Sequence, residues 1–166
     1  MTHTQSDALV RAAQSGDTLA MNDLLDQLAP YVARLCGPIA LEYAADAAQE
    51  ALIVIFRSLR TLHEPAALYG WARTIATREA VRIARRHATF ITTELLDLPA
   101  PGDIELAPDI GDILARLAPE HRAILVLRDL EGLDEHEAAA LLSVPEGTVK
   151  SRLHRARRGF RKAWNQ

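Results

Sequence analysis

The amino-acid sequence predicts an all-α protein with two small helical domains joined by an acidic, proline-containing linker. Hydrophobic residues make up 49% of the 166 residues and aromatic residues only 5%, and a composition of this kind, rich in Ala and Leu, favours helices with modest cores. Charge is sorted along the chain: residues 87–112 hold six acidic residues and no Lys or Arg, whereas residues 147–166 hold seven Lys or Arg and no Asp or Glu. The acidic stretch separates two segments whose apolar residues recur at helical spacing.

The first domain is predicted to span residues 7–87 and to contain four helices. Capping residues, glycines and prolines set their expected limits at about residues 7–13, 18–36, 43–59 and 67–86. The second of these helices is expected to tolerate Pro30 and to end at Gly37-Pro38, because proline lacks the backbone N–H that a helix interior uses.

Residues 88–111 are predicted to form the linker. This stretch contains Pro99, Pro101 and Pro108 among scattered acidic residues, a composition typical of connecting segments. No helix is expected in it, even at residues 93–96.

The second domain is predicted to span residues 112–165. It should open with a short helix at about residues 112–117. Pro119 is expected to start a second helix that runs to Asp129, and Gly132 can close that helix because glycine readily adopts the left-handed conformation of a C-terminal cap.

Residues 133–160 have the pattern of a helix, a tight turn and a second helix. Asp134 and Glu137 are spaced as a capping box at the start of the first helix, and the Ser-Val-Pro-Glu sequence at residues 143–146 forms the break. In the second helix, one face is apolar and carries Val149, Leu153, Ala156 and Phe160.

The opposite face of that second helix is basic and polar. It carries Lys150, Ser151, His154, Arg155 and Arg158. A core-packed helix with a one-sided basic face behind a short turn is typical of a recognition helix that enters the major groove of DNA. The alternative is a solvated basic helix on an all-helical domain that does not bind nucleic acid.

The sequence offers no candidate for catalysis, for a metal site or for a cofactor. It lacks a Gly-rich phosphate loop and a Gly-x-Ser-x-Gly motif, and its six histidines lack metal-ligand spacing. The single cysteine, Cys36, excludes an internal disulfide and indicates a reducing compartment. No signal peptide or membrane-spanning run is evident, so a cytoplasmic location without membrane attachment is expected.

Several strings resemble a known family. They are Leu-Val-Leu-Arg-Asp-Leu at residues 125–130, Gly-Thr-Val-Lys-Ser-Arg-Leu-His-Arg-Ala-Arg at 147–157, Ala-Gln-Ser-Gly-Asp at 13–17, Asp-Ala-Ala-Gln-Glu at 46–50, and Trp71 with Ile75-Ala76. Through these motifs the chain resembles a bacterial RNA polymerase sigma factor of the extracytoplasmic-function (ECF) group. The resemblance extends over nearly all of residues 7–164.

The resemblance implies a transcription initiation factor that binds core RNA polymerase, directs it to promoter DNA and assists DNA melting. Residues 7–87 would be sigma region 2, which binds the polymerase and the −10 element. Residues 112–165 would be sigma region 4, which binds the −35 element. An anti-sigma protein is the further partner that the family implies.

The resemblance also implies roles for individual residues. The polymerase would be bound by Asp46, Gln49, Glu50 and Ile53. The −10 element would be bound by Leu62, His63 and Tyr69 of a loop at residues 62–69, and by Arg78, Arg82 and Arg85 of the helix after it. The −35 element would be bound by Arg128, Lys150, Ser151, His154 and Arg155.

The residues support these roles unequally. Arg78, Arg82 and Arg85 share one helix face, which suits the phosphates of single-stranded DNA, although ECF sigma factors often carry Asn and Asp at the positions of Arg78 and Arg82. Trp71 lies on the same side and is expected to pack in the core. The face with Asp46 and Glu50 reads, without the resemblance, as an ordinary solvated surface.

Two other classes of protein remain as alternatives. A stand-alone helix-turn-helix regulator would bind duplex DNA without polymerase, normally as a dimer on a palindrome. A helical protein–protein adaptor would leave the basic helix solvated. Transcription that depends on both core polymerase and this chain would separate the sigma-factor interpretation from both.

Overall fold

The protein is described by a computed structural model over residues 3–94 and 110–165, with side chains at residues 6–88 and 110–165. All regular secondary structure in these ranges is helical, as predicted. The first domain contains α1 (His3–Ser15), α2 (Thr18–Ala40), α3 (Ala44–Ser58) and α4 (Leu68–Glu94). The second contains α5 (Ile110–Ala115), α6 (Pro119–Leu125), α7 (Glu135–Leu142) and α8 (Glu146–Trp164).

Helix α2 is longer than the sequence predicted. It starts at an Asp17 cap whose carboxylate accepts hydrogen bonds from the backbone N–H groups of Leu19 and Ala20, at 3.0 and 3.1 Å. The expected break at Gly37-Pro38 is wrong, because the helix continues to Ala40. The apolar residues around this point are buried in the core, and tertiary packing outweighs the lost backbone hydrogen bond.

The core of the first domain lies between α2, α3 and α4. Helix α2 contributes large side chains, among them Leu24, Leu28 and Leu35, which are almost fully buried. Helices α3 and α4 contribute alanines at four-residue spacing, Ala47 and Ala51 from α3 and Ala72, Ala76 and Ala80 from α4. Small residues on two facing helices allow close approach, and each buried leucine stabilises the fold by roughly 1.5–3 kcal/mol.

Helix α4 extends about two turns beyond the predicted end near Arg86. It runs to Glu94, so residues 88–94 of the predicted linker are helical. The physical reason is that no glycine or proline occurs between Arg86 and Pro99, and acidic composition alone does not stop a helix. The rest of the predicted linker, residues 95–109, lies outside the described residues.

The second domain has the predicted helix-turn-helix. The capping box at its start is confirmed: the Glu137 N–H donates to Asp134 Oδ1 at 2.7 Å, and the Asp134 N–H donates to Glu137 Oε2 at 2.8 Å. Ser143 ends α7 in the left-handed conformation, with φ of 55°. Val149 and Leu153 of α8 are buried against this domain's core, so α8 has the predicted apolar face.

The helix before the helix-turn-helix is irregular. It was predicted to run from Pro119 to Asp129. The α-helical part ends at Leu125, and residues Val126–Leu130 form a π-helical turn. Gly132 follows with φ of 70°, the conformation expected of a closing glycine.

The two domains contact each other directly. Arg122 of α6 is 6% exposed, and its Nε donates to the carbonyl of Ile39 in α2 at 2.7 Å. Its Nη1 also donates to the carbonyls of Leu117 and Leu114, at 2.8 and 3.2 Å. Ala123 and Val126 are buried in the same apolar cluster as the core of the first domain. The contact between the domains therefore combines a buried cation with a small apolar seam.

Across the described ranges, the helices are all too short or too polar to cross a membrane.

Candidate nucleic-acid interface

The exposed face of α8 brings together four of the five residues predicted to bind the −35 element. Lys150, Ser151, His154 and Arg155 are all solvent-exposed, on the opposite side of the helix from the buried Val149. Lys150 Nζ lies 3.3 Å from Glu135 Oε2 on the supporting helix, and Ser151 donates to the carbonyl of Thr148 at 3.1 Å. A flat face of cations and hydroxyls on a protruding helix can reach both phosphates and base edges in a major groove.

Arg128, the fifth residue, has a different environment. It lies in the π-helical turn and is only partly exposed. Its Nη1 donates to the carbonyl of Leu133, and its Nε is buried without a hydrogen-bond partner among the described residues. The guanidinium thus stabilises the turn before the helix-turn-helix, and any contact with DNA would need its exposed edge.

Helix α4 carries three arginines that were predicted to bind the −10 element, and each is engaged within the protein. Arg78 Nε donates to the carbonyl of Leu141 at 2.9 Å, and its Nη2 donates to Ser143 Oγ at 3.1 Å. Arg85 forms an ion pair with Glu120 of α6. The shared face predicted for these arginines therefore points towards the second domain at both of these positions.

Arg82, the middle arginine, forms ion pairs within the first domain. Its Nη2 lies 2.6 Å from Glu79 Oε2 on the same helix and 3.7 Å from Glu50 Oε2 on α3. The hydrogen bond that Arg82 donates to Glu79, together with the negative charges of Glu79 and Glu50, raises the pKa of Arg82 above its ordinary value. Arg82 thus connects the predicted −10 face to the predicted polymerase face.

The segment at residues 62–69, predicted to be a loop, has exposed and buried side chains, and its last two residues, Leu68 and Tyr69, form the start of α4. His63 is exposed, and Tyr69 is 48% exposed and packs edge-to-face on Tyr31, with ring centroids 5.2 Å apart. Leu62, in contrast, is 6% exposed, and its carbonyl accepts a hydrogen bond from Gln14 Nε2 at 2.7 Å. The expectation that the Leu62 side chain contacts DNA does not fit this geometry, because the apolar side chain is part of the core.

The predicted polymerase face lies on α3. Asp46 and Gln49 are exposed, whereas Glu50 and Ile53 are partly exposed. All four lie on one side of the helix at spacings of three and four residues. Trp71, on α4, packs partly buried against the apolar core, as expected for a large aromatic residue.

One cluster was missed by the sequence reasoning. Glu131, which follows the π-helical turn, has a side chain only 8% exposed and is surrounded by groups of the first domain. It accepts a hydrogen bond from Tyr31 Oη at 2.9 Å, and its carboxylate lies 2.9 Å from Arg34 Nη2 and 3.6 Å from Arg73 Nη1. We call Glu131, Tyr31, Arg34 and Arg73 the Glu131 cluster. Burial, reinforced by the hydrogen bond to Glu131, raises the pKa of Tyr31 to about 12.

Two histidines of the second domain, His121 in α6 and His136 in α7, have opposite pKa shifts. The hydrogen bond to Glu146 raises the pKa of His136 above its ordinary value, with Nδ1 and Oε1 2.7 Å apart. Burial, followed by the positive charges of Arg152 and Arg155, lowers the pKa of His121, although Glu120 opposes this shift. Across residues 3–94 and 110–165, no group of three or more His, Cys, Asp or Glu side chains is placed to hold a metal ion.

Both halves of the chain match described protein families. Sigma-70 region 2 matches residues 21–90, and sigma-70 region 4 matches residues 109–158. Each match covers the helices that carry one of the two candidate surfaces.

Curated relatives match over most of the chain. The RNA polymerase sigma-H factor of Pseudomonas aeruginosa is 30% identical over an alignment of 187 positions, gaps included. The alignment covers 98% of this chain and 95% of that protein. The ECF RNA polymerase sigma factor SigM of Mycobacterium tuberculosis is 33% identical, over 93% of this chain and 83% of its own length. SigE of Mycolicibacterium smegmatis, also an ECF sigma factor, is 34% identical over 89% of this chain, which spans 63% of that relative.

Two solved structures share the fold. CnrH, in complex with the cytosolic domain of CnrY, gives a TM-score of 0.63 at 19% identity and covers 96% of this chain and 97% of its own. The sigma factor RpoE of Bartonella quintana, in complex with the anti-sigma factor NepR, gives 0.62 at 20% identity and covers 85% of this chain and 94% of its own. The sequence relatives and the two matched regions show that the chain belongs to the ECF group of sigma-70 RNA polymerase sigma factors.

Proposed function

We propose that this chain acts in the cytoplasm as a transcription initiation factor without enzymatic activity of its own, binding core RNA polymerase and selecting promoters through two separate DNA-binding surfaces. The observation that carries the proposal is the exposed basic face of α8, held on a capped helix-turn-helix in a chain of the sigma-70 family. DNA opening requires no catalytic side chain, because binding of the separated strand can offset unstacking costs of a few kcal/mol per base step.

The −35 element is assigned to α8. Lys150 and Arg155 can donate to guanine acceptors or phosphates, and Ser151 can bond a phosphate or a base edge. His154 lies on the same exposed face, one helical turn from Lys150, and is the fourth contact that we assign. Arg128 is given a supporting role, since its guanidinium already bonds the Leu133 carbonyl.

The −10 element is assigned to α4 and the loop before it. Arg78, Arg82 and Arg85 are assigned to the phosphates of the melted strand, which Arg78 and Arg85 can bind once their bonds to the second domain open. His63 and Tyr69 have exposed rings on which bases can stack. Phosphate contacts position the strand without reading its sequence. The base preference is therefore assigned to the loop, and Leu62 is assigned the role of fixing that loop to the core.

Core polymerase is assigned to the exposed side of α3, through Asp46, Gln49, Glu50 and Ile53. The face combines acidic and amide groups with one partly exposed apolar residue, and its carboxylates can pair with basic groups of a partner. The CnrH and RpoE structures were solved with the cytosolic domain of CnrY and with the anti-sigma factor NepR, respectively. By this likeness, an anti-sigma protein is the further partner that we propose.

Run-off transcription with purified core polymerase and genomic DNA fragments tests the function. We expect discrete products only when core enzyme and this chain are both present. A second arm uses Arg155→Ala, which should reduce product formation, and Arg11→Ala, an exposed arginine on α1, as the matched control. Failure to form products with any fragment, together with duplex binding by the chain alone, would support a stand-alone regulator instead.

A further inference from the structure

We propose that the chain inhibits its own capture of single-stranded DNA: the second domain covers the arginines of α4, and the Glu131 cluster holds it there. The inference concerns regulation of the −10 surface and rests on the function proposed for that surface. The second domain is thus the occupant of this face in the isolated chain, and DNA must displace it.

DNA phosphates and the second domain compete for the same side chains of α4. Arg78 donates to the Leu141 carbonyl and to Ser143 Oγ of the second domain, and Arg85 pairs with Glu120. A bound phosphate would accept hydrogen bonds from the same guanidinium N–H groups. Single-stranded DNA can therefore reach Arg78 and Arg85 fully only after α6 and the end of α7 move away.

The second domain adds an arginine of its own to the arginine-rich face of α4. The closed arrangement forms a cleft of about 710 Å³ that contains arginines from both domains. They are Arg78, Arg82, Arg85 and Arg86 of α4 and Arg152 of α8. Like charges on facing surfaces repel, so the arrangement requires carboxylates at the contact. Glu120 supplies one beside Arg85, and Glu131 supplies another at a separate point.

Glu131 is the group that holds the two domains together. Its carboxylate belongs to the second domain, whereas Tyr31, Arg34 and Arg73 all belong to the first. It is the more buried of these carboxylates, with its side chain 8% exposed, so its ion pairs are less screened by water than those of surface groups. Loss of its charge leaves Arg34 and Arg73 without this counter-charge at the contact.

When the contact opens, Arg122 keeps partners in its own domain and Glu131 becomes solvated. Arg122 loses its bond to Ile39 on opening but retains the carbonyls of Leu117 and Leu114 in its own domain. Glu131, once released, is exposed to water. The apolar seam is small, with Ala123 and Val126 as its buried residues from α6 and the turn after it. A contact of this kind resembles a transient interface between domains, which can separate without unfolding.

The closed arrangement affects the two DNA surfaces differently. Lys150, Ser151, His154 and Arg155 are exposed while the domains are in contact. Closure should therefore weaken binding of single-stranded DNA and leave binding of duplex DNA by α8 largely unchanged. This difference separates self-inhibition from a general effect on charge or on folding.

The test compares full-length Glu131→Gln and Tyr31→Phe with the wild type. Asp23→Asn is the matched control, because Asp23 is an exposed carboxylate on α2 and its loss changes the net charge by the same amount as Glu131→Gln. Binding of a fluorescent oligo-dT strand and of a random-sequence duplex is measured by anisotropy. The radius of gyration is measured by small-angle X-ray scattering, and helicity by circular dichroism.

We expect Glu131→Gln to bind oligo-dT about tenfold more tightly than Asp23→Asn, as when a binding-competent fraction rises from roughly 1% to 10%. The radius of gyration should increase, with duplex affinity and helicity unchanged. Tyr31→Phe should shift both quantities in the same direction by less. Unchanged radius and unchanged oligo-dT affinity in both variants would overturn the proposal. If the radius of gyration of Glu131→Gln increases but the variant does not bind oligo-dT, the result upholds the domain contact and contradicts the −10 role proposed for α4.

Discussion

Arg78 of α4 donates hydrogen bonds to both the Leu141 carbonyl and Ser143 Oγ, at 2.9 and 3.1 Å, so one side chain of the first domain binds the end of α7 and the turn of the helix-turn-helix. The residue sits 63 positions before Leu141 in the chain. Arg78, on the proposed −10 surface, thus holds in place the helix-turn-helix that carries the proposed −35 surface.

The first prediction concerns the −35 surface. Arg155→Ala and Lys150→Ala should each weaken binding to a promoter library, because both cations lie on the exposed face of α8. A lost bidentate base contact should cost about 1–3 kcal/mol and relax preference at one base pair, whereas a lost phosphate contact should weaken all sequences alike. The measurement is affinity across the library, with Arg57→Ala as the control. If all three variants have the same affinity and base preference across the library, α8 is not the recognition helix.

The second prediction concerns Arg82. Arg82→Ala should weaken single-stranded DNA binding across sequences and reduce the salt dependence of that binding, by a slope of about 0.7 per lost phosphate contact on a single strand. The base preference should persist in this variant and should change with substitutions at His63 or Tyr69. Measurement of oligonucleotide affinity as a function of salt, with Arg60→Ala as the exposed control, checks the assignment. A changed base preference in Arg82→Ala would reverse the roles of helix and loop.

The third prediction concerns the polymerase surface. The triple variant Asp46→Ala, Gln49→Ala and Glu50→Ala should lose affinity for core polymerase in a pull-down, and its helicity should be retained because alanine favours helices. Asp23→Ala on α2 is the control for removal of an acidic side chain elsewhere in the domain. Retention of core binding by the triple variant would show that the polymerase uses another face.

The fourth prediction concerns pH. His136 should titrate above the ordinary value of 6.5, and His121 below it, because Glu146 stabilises protonated His136 whereas burial disfavours protonated His121. The stabilising contribution of the His136–Glu146 pair is therefore complete below about pH 6.5 and lost as pH rises through the raised pKa. For His121, stability falls when pH drops through the lowered pKa, since the folded state resists its protonation.

Histidine titration by NMR checks this order directly. Glu146→Gln should lower the pKa of His136 and leave that of His121 unchanged, because the two side chains have separate partners. The same order of pKa values in Glu146→Gln and the wild type, with no shift of His136, would contradict the assignment of Glu146 as the cause.

Local signals predicted much of the fold. The capping box of Asp134 and Glu137, the break before Glu146 and the apolar face of α8 depend on residues only three or four positions apart, and each is present in the structure. The errors occur where local rules compete with packing. Pro38 disfavours a helix locally, but α2 continues because the residues on either side of it are buried in the core. Leu62 was assigned from family position alone, which carries no information about burial.

The contacts between the domains could not be predicted in this way. Tyr31 and Glu131 are 100 residues apart, and neither has an unusual sequence neighbourhood. The three arginines of α4 line one cleft, but the partners of Arg78 and Arg85, which are Leu141, Ser143 and Glu120, lie on the other domain. The sequence alone does not show how the domains pack, so the cationic face of α4 is read as open to ligands although Arg78 and Arg85 already bond the second domain.

The continuity of α2 determines how the second domain can leave. Tyr31 and Arg34 hold Glu131, and the Ile39 carbonyl holds Arg122. All three lie on one uninterrupted helix that passes through Gly37-Pro38. A helix broken there would act as a hinge and let the two attachments separate one after the other. An unbroken helix fixes the distance between the two attachment points, so we expect both to be released together. Separation of the domains, followed against denaturant or salt concentration, should therefore show a single transition.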